Sequence, residues 1–217
     1  MNRPGLDDPA AFVRANTQLG RLPFIGEISL HLAHEVVPLW TQTETLRQGT
    51  MPPPYWAFAW AGGQALARFL LDNPGEVAGK RTLDFGAGSG LVGIAAAKAG
   101  ASVTCADIDP LSIAAIRLNA AANAVSLATI EADVLESQEH WPLILVGDMC
   151  YERPLAERLL SWLRLRSKAG SRILLGDPGR NYFSATGLRR LATYSVPTPK
   201  DLEDHDIRET SVYLWQE

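Results

Sequence analysis

Between Arg81 and Asp177 the chain repeats one pattern five times, a short apolar run with an aspartate at or beside its carboxyl end. The runs are RTLDFG, SVTCADI, ATIEAD, LILVGD and SRILLGD, and the aspartates are Asp84, Asp107, Asp133, Asp148 and Asp177. Helical stretches separate them. GLVGIAAAKAG stops at Gly100, and DPLSIAAIRLNAAANA begins with Asp109 as N-cap and Pro110 at the first position. PLAERLLSWLRL places Leu155, Leu159 and Trp162 or Leu163 on one face. Strands that are apolar throughout, alternating with helices, predict an α/β fold with a parallel sheet covered on both faces. Ligands of such sheets bind outside the carboxyl ends of the strands. One aspartate there is commonly a helix cap and nothing more; five along one edge mark that edge as a site.

Outside this region the signals are sparser. DDPAAFVRAN predicts a helix capped by Asp8 with Pro9 in its first turn. EISLHLA alternates like a strand, and the prolines of TMPPPYW forbid regular helix. A helix is expected from about Gly62 to Asp72, closed by Asn73, Pro74 and Gly75. SVYLW near the end alternates and is expected to form an antiparallel edge strand. With 217 residues the chain predicts one main domain, residues 53–217, with residues 1–52 as an extension packed on it.

Composition narrows the partners. The net charge of −4 argues against a general nucleic-acid footprint. No apolar run reaches membrane-spanning length, so no membrane association is expected. MNRPGLDDPAAFVRANTQ has neither an apolar signal core nor the acid-poor, Arg-rich character of a transit peptide, which points to a cytoplasmic protein. Cys105 and Cys150 sit in apolar settings and read as buried, reduced thiols. His31 and His34 lack a third ligand, and His140 and His205 read as loop residues, so no metal site is expected.

TLDFGAGSGLVG is the most informative stretch. GSGLVG alone fits a dinucleotide-binding loop, in which Gly86, Gly88 and Gly90 would let the backbone approach a ligand. Asp107, about twenty residues beyond the loop, is placed to accept from both ribose hydroxyls of an adenosine cofactor. That feature does not separate nicotinamide from adenosylmethionine enzymes. Asp84 does. A carboxylate before the first glycine suits a cofactor carrying an ammonium and a sulfonium, and would repel a pyrophosphate. Asp133, in EADV, is placed to accept from an adenine amino group.

LDFGAGSG, ADIDP and EADV together resemble the successive cofactor motifs of the seven-strand, S-adenosylmethionine-dependent methyltransferases. Adding PPYWAFAWAGGQALARFLLDNP, LVGDMCYE and LLGDPGR, the chain from about Pro53 to Arg180 resembles the electron transfer flavoprotein beta-subunit lysine methyltransferases. That resemblance implies a Rossmann-like, mostly parallel seven-strand sheet with one antiparallel strand near the C-terminus. It implies S-adenosylmethionine as cofactor, with Ile108 beside Asp107 at the cofactor and Trp60 and Gln64 in a lid over its methionine end. It also implies a protein substrate, the flavoprotein beta subunit, with a ribosomal-protein lysine as the alternative.

The methyl-acceptor end is expected at GDMCYE, where Asp148 and Tyr151 match a D-x-x-Y motif of lysine-methylating enzymes. Only a neutral amine attacks a methyl carbon, and free lysine, with a pKa of about 10.4, is almost wholly protonated at neutral pH. Asp148 is expected to capture and align the ammonium. Its charge also raises the lysine pKa, which opposes deprotonation. Tyr151, Tyr55 and Trp56 are expected to desolvate the amine and hold methylated products by cation–π attraction. Asp177 and Arg180, in GDPGR, are expected on the substrate side. A nicotinamide oxidoreductase is disfavoured by Asp84 and by the lack of a hydride-transfer pair, and a non-catalytic scaffold by the intact Asp148 and Tyr151.

Overall fold

The structure, a computed structural model, describes residues 8–33, 36–47, 53–198 and 206–216. His34, His205 and the start of the proline-rich joint lie outside them. Five parallel strands carry the repeating aspartates: β3 (Arg81–Phe85), β4 (Ser102–Asp107), β5 (Ala128–Glu131), β6 (Leu143–Gly147) and β7 (Arg172–Asp177). They are preceded by a hairpin of β1 (Gln18–Leu22) and β2 (Ile25–Leu32) and followed by β8 (Leu188–Pro197) and β9 (Ile207–Trp215). The main sheet has seven strands in the order β5-β4-β3-β6-β7-β9-β8.

β9 runs antiparallel to β7, and β8 antiparallel to β9, so β9 alone opposes the direction of the other strands of this sheet. SVYLW therefore forms the expected antiparallel strand, but not at the edge. β8 covers it. The sequence of β8 hid this because a bulge between Arg190 and Ala192 breaks its alternation and most of its residues are half-buried or exposed.

The helices are α1 (Pro9–Asn16), α2 (Val36–Arg47), α3 (Ala61–Asp72), α4 (Leu91–Lys98), α5 (Pro110–Ala122) and α6 (Arg153–Lys168). Successive strand side chains point to opposite faces. Leu145 and Leu174 pack with Leu66, Val92 and Ile113 from α3, α4 and α5. Ile144 and Ile173 pack with Leu159 and Leu163 of α6 on the other side. The caps form as the sequence dictates: Asp8 accepts from the Ala11 N–H at 2.9 Å, and Asp109 from the Leu111 N–H at 2.9 Å.

Besides β8, the sequence reading missed α2 and the polar, exposed β1. The hairpin is held to the main domain by α5. Asn119 Oδ1 accepts from the His31 N–H at 2.7 Å, and Asn123 both accepts from the Ser29 N–H at 3.0 Å and donates to the Ser29 carbonyl at 2.6 Å. Ile25, Ile28 and Leu30 bury themselves against Leu91 and Ile94 of α4.

Candidate active site

β3 leads into α4 through Gly86, Gly88 and Gly90, at φ +62°, +52° and +80°. Gly90 is the N-cap of α4 in the left-handed conformation, and a Cβ there would press on Ile116. Asp107 braces the loop. Its Oδ2 accepts from the Gly88 N–H and its Oδ1 from the Asp109 N–H, both at 2.9 Å. The Ser112 side chain also hydrogen-bonds to this carboxylate, so of its roughly four lone-pair positions about one is left for a further donor.

Above the carboxyl ends of β3, β4 and β6 opens a cavity of about 820 Å³. On the β4 side it is lined by Asp107, the largely exposed Ile108, and Asp133. On the β6 side it is lined by Asp148, Tyr151, Tyr55, Trp60 and Arg180, with Asp84, Gly86 and Gly88 between. Four expected residues lie outside this lining. Gly90 shapes the loop from beneath. Gln64 is buried and donates to the Ala59 carbonyl at 2.7 Å, fixing the entry to α3. Trp56 is 1% exposed and packs with Val13, Leu39 and Leu111, so it ties the N-terminal segment to α5. Asp177 accepts from the Gly179 and Arg180 N–H groups at 2.7 and 2.8 Å and thereby presents Arg180 to the site.

Asp133 lines the cavity, but its carboxylate has other partners. It caps the Leu135 N–H at 3.0 Å and pairs with Arg158 at 2.7 Å, which leaves less capacity for an adenine amino group than the sequence implied. Asp84 is 2% exposed and turns one oxygen onto the Gly93 N–H at 2.8 Å, with the Cys105 thiol beside it. Burial pushes its pKa up from 3.8 to about 7, the Gly93 bond opposing the rise. A raised carboxylate pKa means that the folded state binds the proton more tightly than the unfolded chain. The cofactor-free protein is therefore expected to lose stability as pH rises from about 4 to about 7 through this group, and Asp84→Asn to flatten that fall. Denaturant unfolding across this range, with no difference in slope between variant and parent, would refute the burial argument.

At the β6 end the chain bends sharply. Asp148 has φ +62°, with its N–H donating to the Gly176 carbonyl at 2.9 Å. This turn aims the carboxylate at the N-terminus of α3, where Oδ2 accepts from the Gly62 N–H at 2.8 Å. Arg180 closes a two-pronged ion pair on it, Nε to Oδ1 at 2.5 Å and Nη2 to Oδ2 at 3.0 Å. Asp148, expected to capture and align a substrate ammonium, already holds a guanidinium here. Around the pair stand Tyr55 and Tyr151, their rings 4.9 Å apart, and Trp60, edge-on to Tyr55 at 5.7 Å. Burial, then neighbouring charge, raises the pKa of both phenols. Neither serves as a base near neutral pH.

Sequence reasoning missed Glu152, Arg158 and Met149, all in the lining. Glu152 directly follows Tyr151, and its position at the start of α6 was the available signal. Met149 packs where a Cβ on Gly86 would stand. Among the described residues no three His, Cys, Asp or Glu side chains converge as metal ligands. The His31 ring meets the Thr17 hydroxyl at 3.2 Å. Also among the described residues, no helix is long and apolar enough to cross a membrane.

The lining fits a cationic adenosine cofactor. It contains six acidic side chains (Asp107, Asp109, Asp133, Asp148, Glu152 and Asp84, the last only part-ionised near pH 7) against two arginines, each paired to a carboxylate. That balance would repel a pyrophosphate and attract a sulfonium and an ammonium. Asp107→Ala is expected to weaken S-adenosylmethionine binding by roughly 1.5–3 kcal/mol, the worth of hydrogen bonds to a charged group. Calorimetry reads this directly, and unchanged affinity would remove Asp107 from the cofactor site.

Residues 57–146 match the family model described as methyltransferase small domain. Magnesium protoporphyrin IX methyltransferase from Synechocystis PCC 6803 with bound SAM shares the fold, with a TM-score of 0.53 at 15% identity over 72% of this chain and 80% of that one. Fold and site together define a class I, S-adenosylmethionine-dependent methyltransferase. Electron transfer flavoprotein beta subunit lysine methyltransferase from Xenopus laevis is 39% identical over 96% of this chain and 87% of its own length; the Homo sapiens protein is 36% identical over 95% and 81%. The chain belongs to this family of lysine methyltransferases. Ribosomal protein L11 methyltransferase from Wolinella succinogenes is also similar, at 35% identity but over 46% of this chain and 36% of its own.

Proposed function

We propose that this protein transfers methyl groups from S-adenosylmethionine to lysine side chains of the electron transfer flavoprotein beta subunit. The observation that carries the reading is the β6 end of the cavity, where a carboxylate, Asp148, lies among the rings of Tyr55, Tyr151 and Trp60. A charge-matched acceptor within aromatic walls fits a slender aliphatic amine, and the rings fit its cationic methylated products. The beta-subunit substrate is supported by the names of relatives that align over nearly the whole chain. The ribosomal-protein alternative rests on relatives that cover less than half of it.

When bound, S-adenosylmethionine supplies a sulfonium methyl, whose transfer forms the nitrogen–carbon bond as the carbon–sulfur bond breaks and its electron pair stays on sulfur. The protein's own residues align the acceptor. Asp107 and the glycine loop fix one end of the cavity, and Trp60 and the N-terminus of α3 bound the other. Asp148 accepts a hydrogen bond from the incoming nitrogen, while the tyrosine rings strip water from it. Desolvation favours the neutral amine, and its proton leaves to solvent before transfer. Holding nucleophile and methyl in line supplies on the order of 7 kcal/mol of barrier reduction in favourable cases. Incubating the enzyme with labelled S-adenosylmethionine and cell extract should label the flavoprotein beta subunit; a dominant ribosomal-protein band would favour the alternative.

A further inference from the structure

We infer that Arg180 is a positioning residue that cancels the charge of Asp148, so that the acceptor amine enters the site as the free base and is not trapped as an ammonium ion. The inference rests on the lysine-acceptor reading above. An isolated carboxylate in a dry pocket would be a poor partner for a nucleophilic amine, because it stabilises the protonated form that cannot react. The structure contains the remedy. The carboxylate of Asp148 offers about four lone-pair positions. Gly62 N–H takes one at 2.8 Å, and the Arg180 guanidinium takes two at 2.5 and 3.0 Å. Donors thus stand on both carboxylate oxygens, and the guanidinium matches their charge. The ion pair is largely buried, at 3% side-chain exposure for Asp148 and 16% for Arg180, so its charges are weakly screened.

Arg180 is built into this place from two directions. Its backbone N–H is fixed by Asp177, and its guanidinium lies 5.8 Å from the centre of the Trp60 ring. A guanidinium does not lose its proton in the working pH range, whereas a lysine there would be tunable. Other titratable groups face the pair: Asp177 and Cys150 act on or with Asp148, Tyr55 and Glu152 flank it with Tyr151, and Asp107 acts from across the cavity on Tyr151. Burial pushes Asp177 up to about 7, and both Asp148 and Arg180 act on it, so the profiles are compared in an Asp177→Asn background, where this second titration is removed.

The experiment follows the rate of methylation of purified electron transfer flavoprotein against pH at saturating cofactor, with cofactor affinity measured alongside. In Arg180→Gln the uncompensated Asp148 should raise the acceptor's pKa, moving the rising limb of the profile up by about one pH unit. Asp148→Asn removes one negative charge and keeps the guanidinium, and should move the limb down. Arg180→Lys restores the charge wherever the Asp148 carboxylate holds the lysine as an ammonium, and over that range should return the limb toward the parent's position. Opposite shifts are the signature, since structural damage lowers rates without moving the limbs apart. Limbs that coincide, or that move in one direction for both variants, overturn the inference. If Arg180→Gln does not fold, an Asp148→Asn limb that fails to move down overturns it alone. Absence of transfer by the parent at every pH, with cofactor binding intact, would instead overturn the lysine reading, and this inference with it.

Discussion

Gly176→Ala is expected to destabilise the protein by about 3 kcal/mol, the upper part of the range for overpacking a close contact. The backbone carbonyl of Gly62 stands well inside contact distance of the position a Cβ would occupy, with Leu66 Cβ and the Gly62 carbonyl carbon at 2.9 and 3.0 Å. None of these atoms is the far end of a flexible side chain, so α3 must lift from β7. The cost extends to chemistry. α3 supplies the Gly62 N–H to Asp148, and Gly63 approaches Gly147 closely enough that a Cβ on Gly147 would sit 3.0 Å from its Cα. Lifting α3 pulls away one partner of Asp148 and widens the acceptor end. Denaturant unfolding should show a lower midpoint at unchanged slope. A variant as stable as the parent would mean that the glycine-to-glycine contact is not what seats α3.

Asp148→Asn is expected to reduce methyl transfer by about a hundredfold, the size of loss that a misplaced reactant produces. Affinity for S-adenosylmethionine should change little, because the Asp148 carboxylate is turned to the Gly62 N–H and Arg180, whereas it is Asp107 that braces the glycine loop. Asparagine is the informative replacement. Asp148 has φ +62°, a conformation that asparagine tolerates better than other side chains, so the turn survives. Gly62 keeps an acceptor oxygen, while Arg180 loses its charged partner. Parallel cofactor titration and turnover separate the two functions. Wild-type turnover in this variant would place the acceptor lysine elsewhere in the cavity.

Much of this was legible because it is local. The five aspartates fall at the carboxyl ends of five parallel strands, since an apolar run followed by a glycine or an acid encodes both the strand and its stop. Asp8 and Asp109 cap their helices as side chains of that type do when proline follows. What the sequence hid is mostly long-range. Arg180 and Asp148 are 32 residues apart, and only the packing of β6 beside β7 brings their loops together. Tyr55 and Trp56 are adjacent and chemically alike, yet the short turn at Tyr55–Ala57 sends one ring to the cavity and the other into the core. The family resemblance implies Gln64 in a lid over the cofactor. Its place on α3 turns it inward to the Ala59 carbonyl. Arg158 reaches Asp133 from α6 across 25 residues, a pairing with no local signature.

In this cavity a methyl group passes from S-adenosylmethionine to a lysine of the electron transfer flavoprotein beta subunit. Mass spectrometry of the purified flavoprotein after incubation with enzyme and cofactor tests it most directly. The account predicts mass increments of one methyl group or more on the beta subunit, mapped to lysine side chains and abolished when the cofactor is omitted. An unmodified beta subunit, under conditions where calorimetry shows the enzyme saturated with S-adenosylmethionine, would contradict it.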